Sequence, residues 1–336
     1  MKAILTSSSI MMKNSQIFQG HLSMLLATIM WGAMAPIAKG VLEEGVLDGL
    51  SLSVVRIGGG TLLFLFCSLL PKKLTGDCKV ERKDFLTLFL ASLIMISANQ
   101  GLFIIGIGYT SPVDTSVMCT LTPVFTLILA ALFLKLPMTF LKVTGVILGL
   151  TGALIMALSD KSEEIAINPL LGNSLCMLAQ ICASVYYVFF LKLINKYPPF
   201  TIMKWMFLFS SLTYVPFIFI FTPPIEWLSI SLTSVLSILY IIIFPTFLAY
   251  LIIPFSQRLL KPTVVSSYAY IQPVVSALLS FLMGFAIFGW NRIIATAFIF
   301  SGVYLVSFSM SRKQHKEKTE ELSLKENAGL PQSPRG

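Results

Sequence analysis

Charge is scarce in this chain. Asp, Glu, Lys and Arg together make up 12% of its 336 residues, about half the share found in a soluble domain. Hydrophobic residues make up 56%. That balance places the chain in a membrane rather than in water. Histidine is rarer still, with only His21 and His315. The five cysteines (Cys67, Cys78, Cys119, Cys176 and Cys182) are scattered and form no CxxC. Metal sites, cofactors and a disulfide framework therefore have no support. A phosphate-binding loop is missing too. Gly58-Gly59-Gly60 lacks the Gly-Lys-Thr or Gly-Lys-Ser ending and lies in an apolar run. No His/Asp, Ser/Lys or metal constellation falls inside the apolar segments, which argues against an intramembrane enzyme. The first nineteen residues are polar and weakly basic, without a signal-peptide cleavage pattern.

What the chain does have is long apolar runs. Ten segments are suited to spanning a bilayer, at about 20–39, 50–70, 84–108, 113–134, 139–158, 170–191, 201–221, 232–255, 263–286 and 290–310. Pro112 favours a break between the third and fourth, because the residue before proline is pushed out of the helical region. The formal net charge of +9 reads as a topology signal, with no nucleic-acid partner expected. Twenty of the 24 Lys and Arg fall on one side of this ten-span arrangement. Lys39, Lys161 and Arg292 fall on the other, and Arg56 lies within a span. Basic residues concentrate on the cytoplasmic side, so both termini are expected there, in a multi-pass protein of the cell (inner) membrane. The expected layout is a cytoplasmic N-terminal segment at 1–19, a first five-helix unit at 20–158 and an outer linker at 159–169. A second five-helix unit follows at 170–310, then a disordered cytoplasmic tail at 311–336, too polar to bury a core.

The two units repeat. A shift of 150 residues places Pro112 on Pro262, Ser116 on Ser266, Pro123 on Pro273, Leu132 on Leu282 and Gly152 on Gly302. Five spans is an odd number, so the second copy enters the membrane from the opposite side. The expected fold class is therefore all-α integral membrane, with ten transmembrane helices as two inverted five-helix repeats. Pro123 and Pro273 fall near mid-membrane. Proline there removes a helix hydrogen bond, and the pair reads as a helix break or pivot beside a cavity. The alternative is a static packing kink.

These residues resemble the EamA-type transporters of the drug/metabolite transporter superfamily. The likeness covers about 20–310. It rests on the ten spans, the prolines in Leu121-Thr122-Pro123 and Ile271-Gln272-Pro273, and the opening Ala27-Thr28-Ile29-Met30-Trp31-Gly32-Ala33. The glycines Gly145, Gly149 and Gly152 and the pair Ser301-Gly302 resemble its fifth and tenth helices. One departure stands out. Where that family usually shows a Gly-Glu pair after helices four and nine, this chain has Leu134-Lys135-Leu136-Pro137 and Gly284-Phe285. The resemblance implies movement of small metabolites, often export. It also implies that helices one, three, four, six, eight and nine surround a central cavity.

Polar groups inside spans are costly, so each asks for a reason. Arg56 is the only strong charge well within one. It suits recognition of a carboxylate or other anion, or else it snorkels outward or pairs with Asp114. Asn99, Gln100, Gln180 and Gln272 offer amides. Trp31, Tyr186, Tyr250, Tyr268 and Tyr270 offer aromatic faces and polar tips. These ten residues are the expected substrate-binding set, with helix-to-helix hydrogen bonding as the competing role for the amides. The reading is a secondary transporter, an exporter or exchanger, of a small neutral or zwitterionic metabolite such as an amino acid or drug-like compound. Its partners are the lipid bilayer and a small-molecule substrate, and homodimerisation stays open. Two alternatives remain: a nucleotide-sugar or sugar-phosphate exchanger of the same superfamily, and a membrane receptor or scaffold.

Overall fold

The computed structural model describes residues 2–110, 115, 118–159, 167–221, 229–282 and 290–327. Helix dominates, and no strand occurs among the described residues. The main helices are α1 (Lys2–Glu43), α2 (Gly49–Cys67), α3 (Arg82–Tyr109), α4 (Thr122–Phe133) and α5 (Phe140–Ser159). The second set is α6 (Pro169–Phe189), α7 (Pro199–Phe221), α8 (Leu232–Leu259), α9 (262–282) and α10 (Trp290–Asn327). Each expected span contains helix among its described residues. Ser15–Glu43 of α1, together with α2, α3, α6 and α8, is long and apolar enough to cross a membrane alone. Leu62, Phe66, Phe140, Leu170 and Leu282 remain exposed. Lipid solvates such a surface at no cost, whereas water would not. The chain is thus a multi-pass membrane protein.

Caps define several helix starts. The Asp48 carboxylate accepts the Ser51 N–H at 2.7 Å, Asn168 accepts that of Leu171 at 3.1 Å, and Ser231 accepts that of Ser234 at 3.1 Å. Each satisfies an N–H that a helix leaves unpaired at its first turn. At the two ends of the chain, helix runs further than expected. α1 begins at Lys2, inside the expected N-terminal segment, and α10 continues to Asn327, through the first part of the expected disordered tail. Residues 311–327 contain no Gly or Pro and many Lys, Glu and Leu, all good helix formers. Pro112, Asp114, Ser116, Gly284, Phe285 and most of the 159–169 linker lie outside the described residues.

The helices are interrupted in matching places. α3 carries a π-helical turn at Leu93–Ala98, and α8 carries one at Ile242–Leu248. The helical pieces that follow, Asn99–Tyr109 and Ala249–Leu259, coincide at a shift of 150 residues. α9 is broken by a 3₁₀ turn at Tyr268–Tyr270 before helix resumes at Ile271. In the matching place of the first half, a turn at 120–121 precedes Thr122. Pro123 therefore stands in the first turn of a helical segment, not in the middle of a helix as expected. Its missing N–H costs nothing there. The break lies just before each proline.

Packing follows the same exchange. α3 packs on α6 as α8 packs on α1, and α4 packs on α6 as α9 packs on α1. α2 with α7, and α5 with α10, pair across the halves. The α5–α10 contact is backbone to backbone. A Cβ added at Gly302 would lie 2.6 Å from both the Gly145 carbonyl and the Gly149 nitrogen.

The two ends of the bundle differ. At one, Lys204 pairs with Asp77, and Lys196 pairs with Asp84 and, at 2.8 Å, with Glu81. Arg258 donates to the Ile194 and Tyr197 carbonyls. Asp84 and Glu81 hold the Lys196 ammonium above its ordinary range, and Lys196 with Lys83 holds the Glu81 carboxyl below its own. At the other end, hydrogen bonds alone join the halves among the described residues. Glu44 accepts the Ser231 N–H at 2.8 Å, and Thr110 donates to Asn173 at 2.7 Å.

Two stability outcomes follow from this geometry. Gly302→Val drives a side chain into immovable backbone and costs about 1–3 kcal/mol, read as a lower thermal midpoint in detergent. Gly58→Ala, with nothing within 4 Å of its added methyl, does not lower the midpoint and gains helix propensity. Lys135, just past α4, takes the left-handed φ of 51°, in the stretch where the family shows its Gly-Glu pair. Lys135→Gly relieves the Cβ clash and raises stability by about 1 kcal/mol, whereas Lys135→Ala, which keeps the Cβ, does not.

Candidate functional site

An open pocket, about 560 Å³ with the space at its mouth counted in, lies among α1, α2, α3, α4, α6, α8 and α9. Seven of the ten expected site residues line it: Trp31, Arg56, Asn99, Gln100, Gln180, Tyr250 and Gln272. The interruptions bring them together. Trp31, on α1, donates its indole N–H to the Pro245 carbonyl in the π turn of α8 at 2.8 Å. Its ring meets Tyr250 edge-on, with centroids 5.6 Å apart. Next to it, Gly32 lets α1 approach α9 at the break, since a Cβ there would meet the Gln272 carbonyl at 2.9 Å. The Trp-Gly pair thus docks α1 on both interrupted helices of the second half.

The amides divide in role. Asn99 donates to the Ala179 carbonyl at 2.7 Å, joining α3 to α6. Gln180 accepts from the Thr122 hydroxyl at 2.8 Å, joining α6 to the start of α4. Both do the helix-to-helix work weighed against a binding role, with the rest of each amide in the cavity wall. Gln100 is different. It is fully buried, and neither amide atom makes a well-formed hydrogen bond, although the Tyr250 hydroxyl is within its influence. A buried amide left in that state costs stability unless something in the cavity completes it.

Arg56 is 2% exposed. Its Nε donates to the Thr246 hydroxyl at 2.7 Å, and Thr246 in turn donates to the Ile241 carbonyl at 2.7 Å, across the π turn. Among the described residues no carboxylate pairs with it. Asp114, the expected partner, lies outside them. The snorkelling alternative does not fit so buried a side chain. Arg56 is also the only Lys, Arg, Asp or Glu lining the cavity among the described residues.

Three expected residues are elsewhere. The 3₁₀ turn rotates Tyr268 and Tyr270 away and presents Ala269 to the cavity. Tyr268 instead hydrogen-bonds His21 at 2.7 Å, and Tyr270 lies on Gly149 and donates to the Val146 carbonyl at 2.9 Å. Tyr186 is buried with its hydroxyl unpartnered, and its neighbour Tyr187 takes the cavity wall. Lining residues outside the expected substrate-binding set include Thr122, Tyr187, Cys119 and the methionines Met24, Met34 and Met95. A signal existed for one of them. Thr122 stands before Pro123 as Gln272 stands before Pro273.

Apolar helices around a polar, interrupted centre define a multi-pass membrane protein with a pocket between its helices. The chain belongs to the EamA-like transporter family, matching it twice, over residues 18–158 and 170–308. It is similar to YicL, an uncharacterized inner membrane transporter of Salmonella typhimurium, at 23% identity over 88% of this chain and 97% of that protein. An uncharacterized transporter of Archaeoglobus fulgidus is 28% identical over 61% of this chain and 69% of its own length. A WAT1-related protein of Arabidopsis thaliana is 26% identical over 66% of this chain and 68% of its own. One crystal structure, 16% identical, superimposes with a TM-score of 0.69 over 89% of this chain and 98% of that one, a likeness of fold.

Proposed function

We propose that this protein is a secondary transporter, an exporter or exchanger, that moves a small zwitterionic or neutral metabolite by alternating access between two inverted five-helix halves. The observation that carries the reading is where the cavity lies. It sits at the interruptions of α3, α4, α8 and α9, and matched positions of the two halves line it. Gln100 and Tyr250 are 150 residues apart, as are Thr122 and Gln272, and Cys119 and Ala269. With an odd number of spans per half, exchanging the conformations of the halves turns such a cavity from one side to the other. The breaks before Pro123 and Pro273 are the natural pivots.

The ends of the bundle fit that cycle. Ion pairs join the halves at the Lys196–Lys204 end, whereas hydrogen bonds alone join them at the Glu44 end. The structure then represents a state held at its basic end. The basic excess there makes that end cytoplasmic, in the cell (inner) membrane. A sugar-phosphate exchanger would want several cations in the cavity, and among the described residues Arg56 alone is there.

Reconstituted protein is expected to show saturable, counterflow-type movement of at least one member of a broad metabolite panel, with Gln272→Ala reducing it. A panel on which wild type moves nothing sinks the transporter reading. Cys78, in the 71–83 loop, tests orientation. A membrane-impermeant maleimide should reach it only from the cytoplasmic side of inverted vesicles, and labelling from outside intact cells reverses the topology.

A further inference from the structure

The two halves provide an internal comparison for Arg56. At a shift of 150 residues, Arg56 of α2 falls on Met206 of α7, and its partner Thr246 of α8 falls on Ile96 of α3. Met206 and Ile96 are both fully buried members of one apolar core cluster. The junction between the second helix of a half and the π turn of the other half can therefore be built from apolar side chains. The guanidinium is not demanded by packing. It is a buried cation in a cavity that offers no described carboxylate, held at Nε by Thr246, and its two Nη groups bond to no other described residue. Gln100, buried with its amide uncompleted, lies in the same wall.

We propose that Arg56 is the anchor for a single carboxylate, and that the cavity carries monocarboxylates with an aromatic or apolar body. The proposal rests on the transporter reading and shifts its substrate class from neutral compounds to carboxylates, zwitterions included. A planar guanidinium fork matches a carboxylate with two parallel hydrogen bonds. One cation balances one carboxylate, whereas a phosphate dianion would leave charge uncompensated in hydrocarbon. Trp31, Tyr187, Tyr250, Met24 and Met95 supply an apolar, aromatic wall for the body. No acid among the described lining residues awaits an ammonium, so an amino group is tolerated but not required. The anchor also couples binding to motion. Arg56 belongs to the first half and Thr246 to the second, so a carboxylate that tightens the fork acts on the junction between them.

Three probes that share one ring and chain separate the possibilities in proteoliposomes: 3-phenylpropanoate, phenylalanine and phenylalaninamide. The two carboxylates are expected to move saturably, and the amide at least tenfold more slowly, roughly the loss expected when a carboxylate–guanidinium bond is absent. The variant Arg56→Met with Thr246→Ile rebuilds the apolar junction of the other half. It should keep the wild-type thermal midpoint and lose carboxylate transport by about thirtyfold or more. Arg56→Lys keeps the charge without the fork and should raise KM while leaving residual transport. Equal movement of phenylalaninamide, or full carboxylate transport by the double variant, overturns the anchor and leaves the transporter reading intact. So does a wild type that moves none of the three yet moves a neutral compound. A wild type that moves no member of a broad metabolite panel overturns both.

Discussion

In hydrocarbon, every backbone N–H and C=O has to find its partner inside the protein. This chain interrupts its helices and still finds partners for carbonyls at the breaks, and the rest of the structure depends on how. Trp31 of α1 donates to the Pro245 carbonyl in the π turn of α8. Tyr214 of α7 donates to the Ser97 carbonyl in the π turn of α3, at 2.7 Å. Ser184 of α6 donates to the Thr122 carbonyl at the break before Pro123, at 3.1 Å. Each donor comes from a different helix from the one it repairs. The breaks thus tie helices together instead of weakening them, and the cavity can exist because irregular backbone faces it and not lipid.

Much of this was legible in the chain itself. Scarce charge and ten apolar runs point to the membrane. The 150-residue shift, seen in the prolines, recurs in the π turns and in the exchange of helix pairs. Trp31, Gln100, Tyr250 and Gln272 stand at the cavity because polar side chains in apolar spans rarely have another place to go. What escaped was local phase. In a 3₁₀ turn each residue advances by about 120° instead of about 100°, so Tyr268 and Tyr270 swing outward and Ala269 faces in. Tyr186 and Tyr187 are one residue apart, and only packing decides which of them meets the cavity. The prolines drew notice as breakers, yet the break comes before them. Thr246 carried no signal at all, since nothing local in a sequence shows which hydroxyl will meet an arginine on another helix.

The repeat is closest in backbone and loosest in chemistry. Interruptions, helix pairs and three pairs of cavity-lining positions recur across the halves. The side chains there do not: Gln100 faces Tyr250 across the pseudo-symmetry, Thr122 faces Gln272, and Arg56 corresponds to Met206. Two conformations that mirror each other require near-equal energies, and matched backbones supply that. Recognition requires the opposite. A ligand with distinct ends is held in one orientation only by an unsymmetrical wall. In the proposed cycle these demands are separate, with motion in the shared helix breaks and recognition in the side chains that differ. Arg56 is the extreme case. Its counterpart shows the scaffold content with methionine, and on the proposed reading the bound carboxylate offsets the cost of burying a guanidinium.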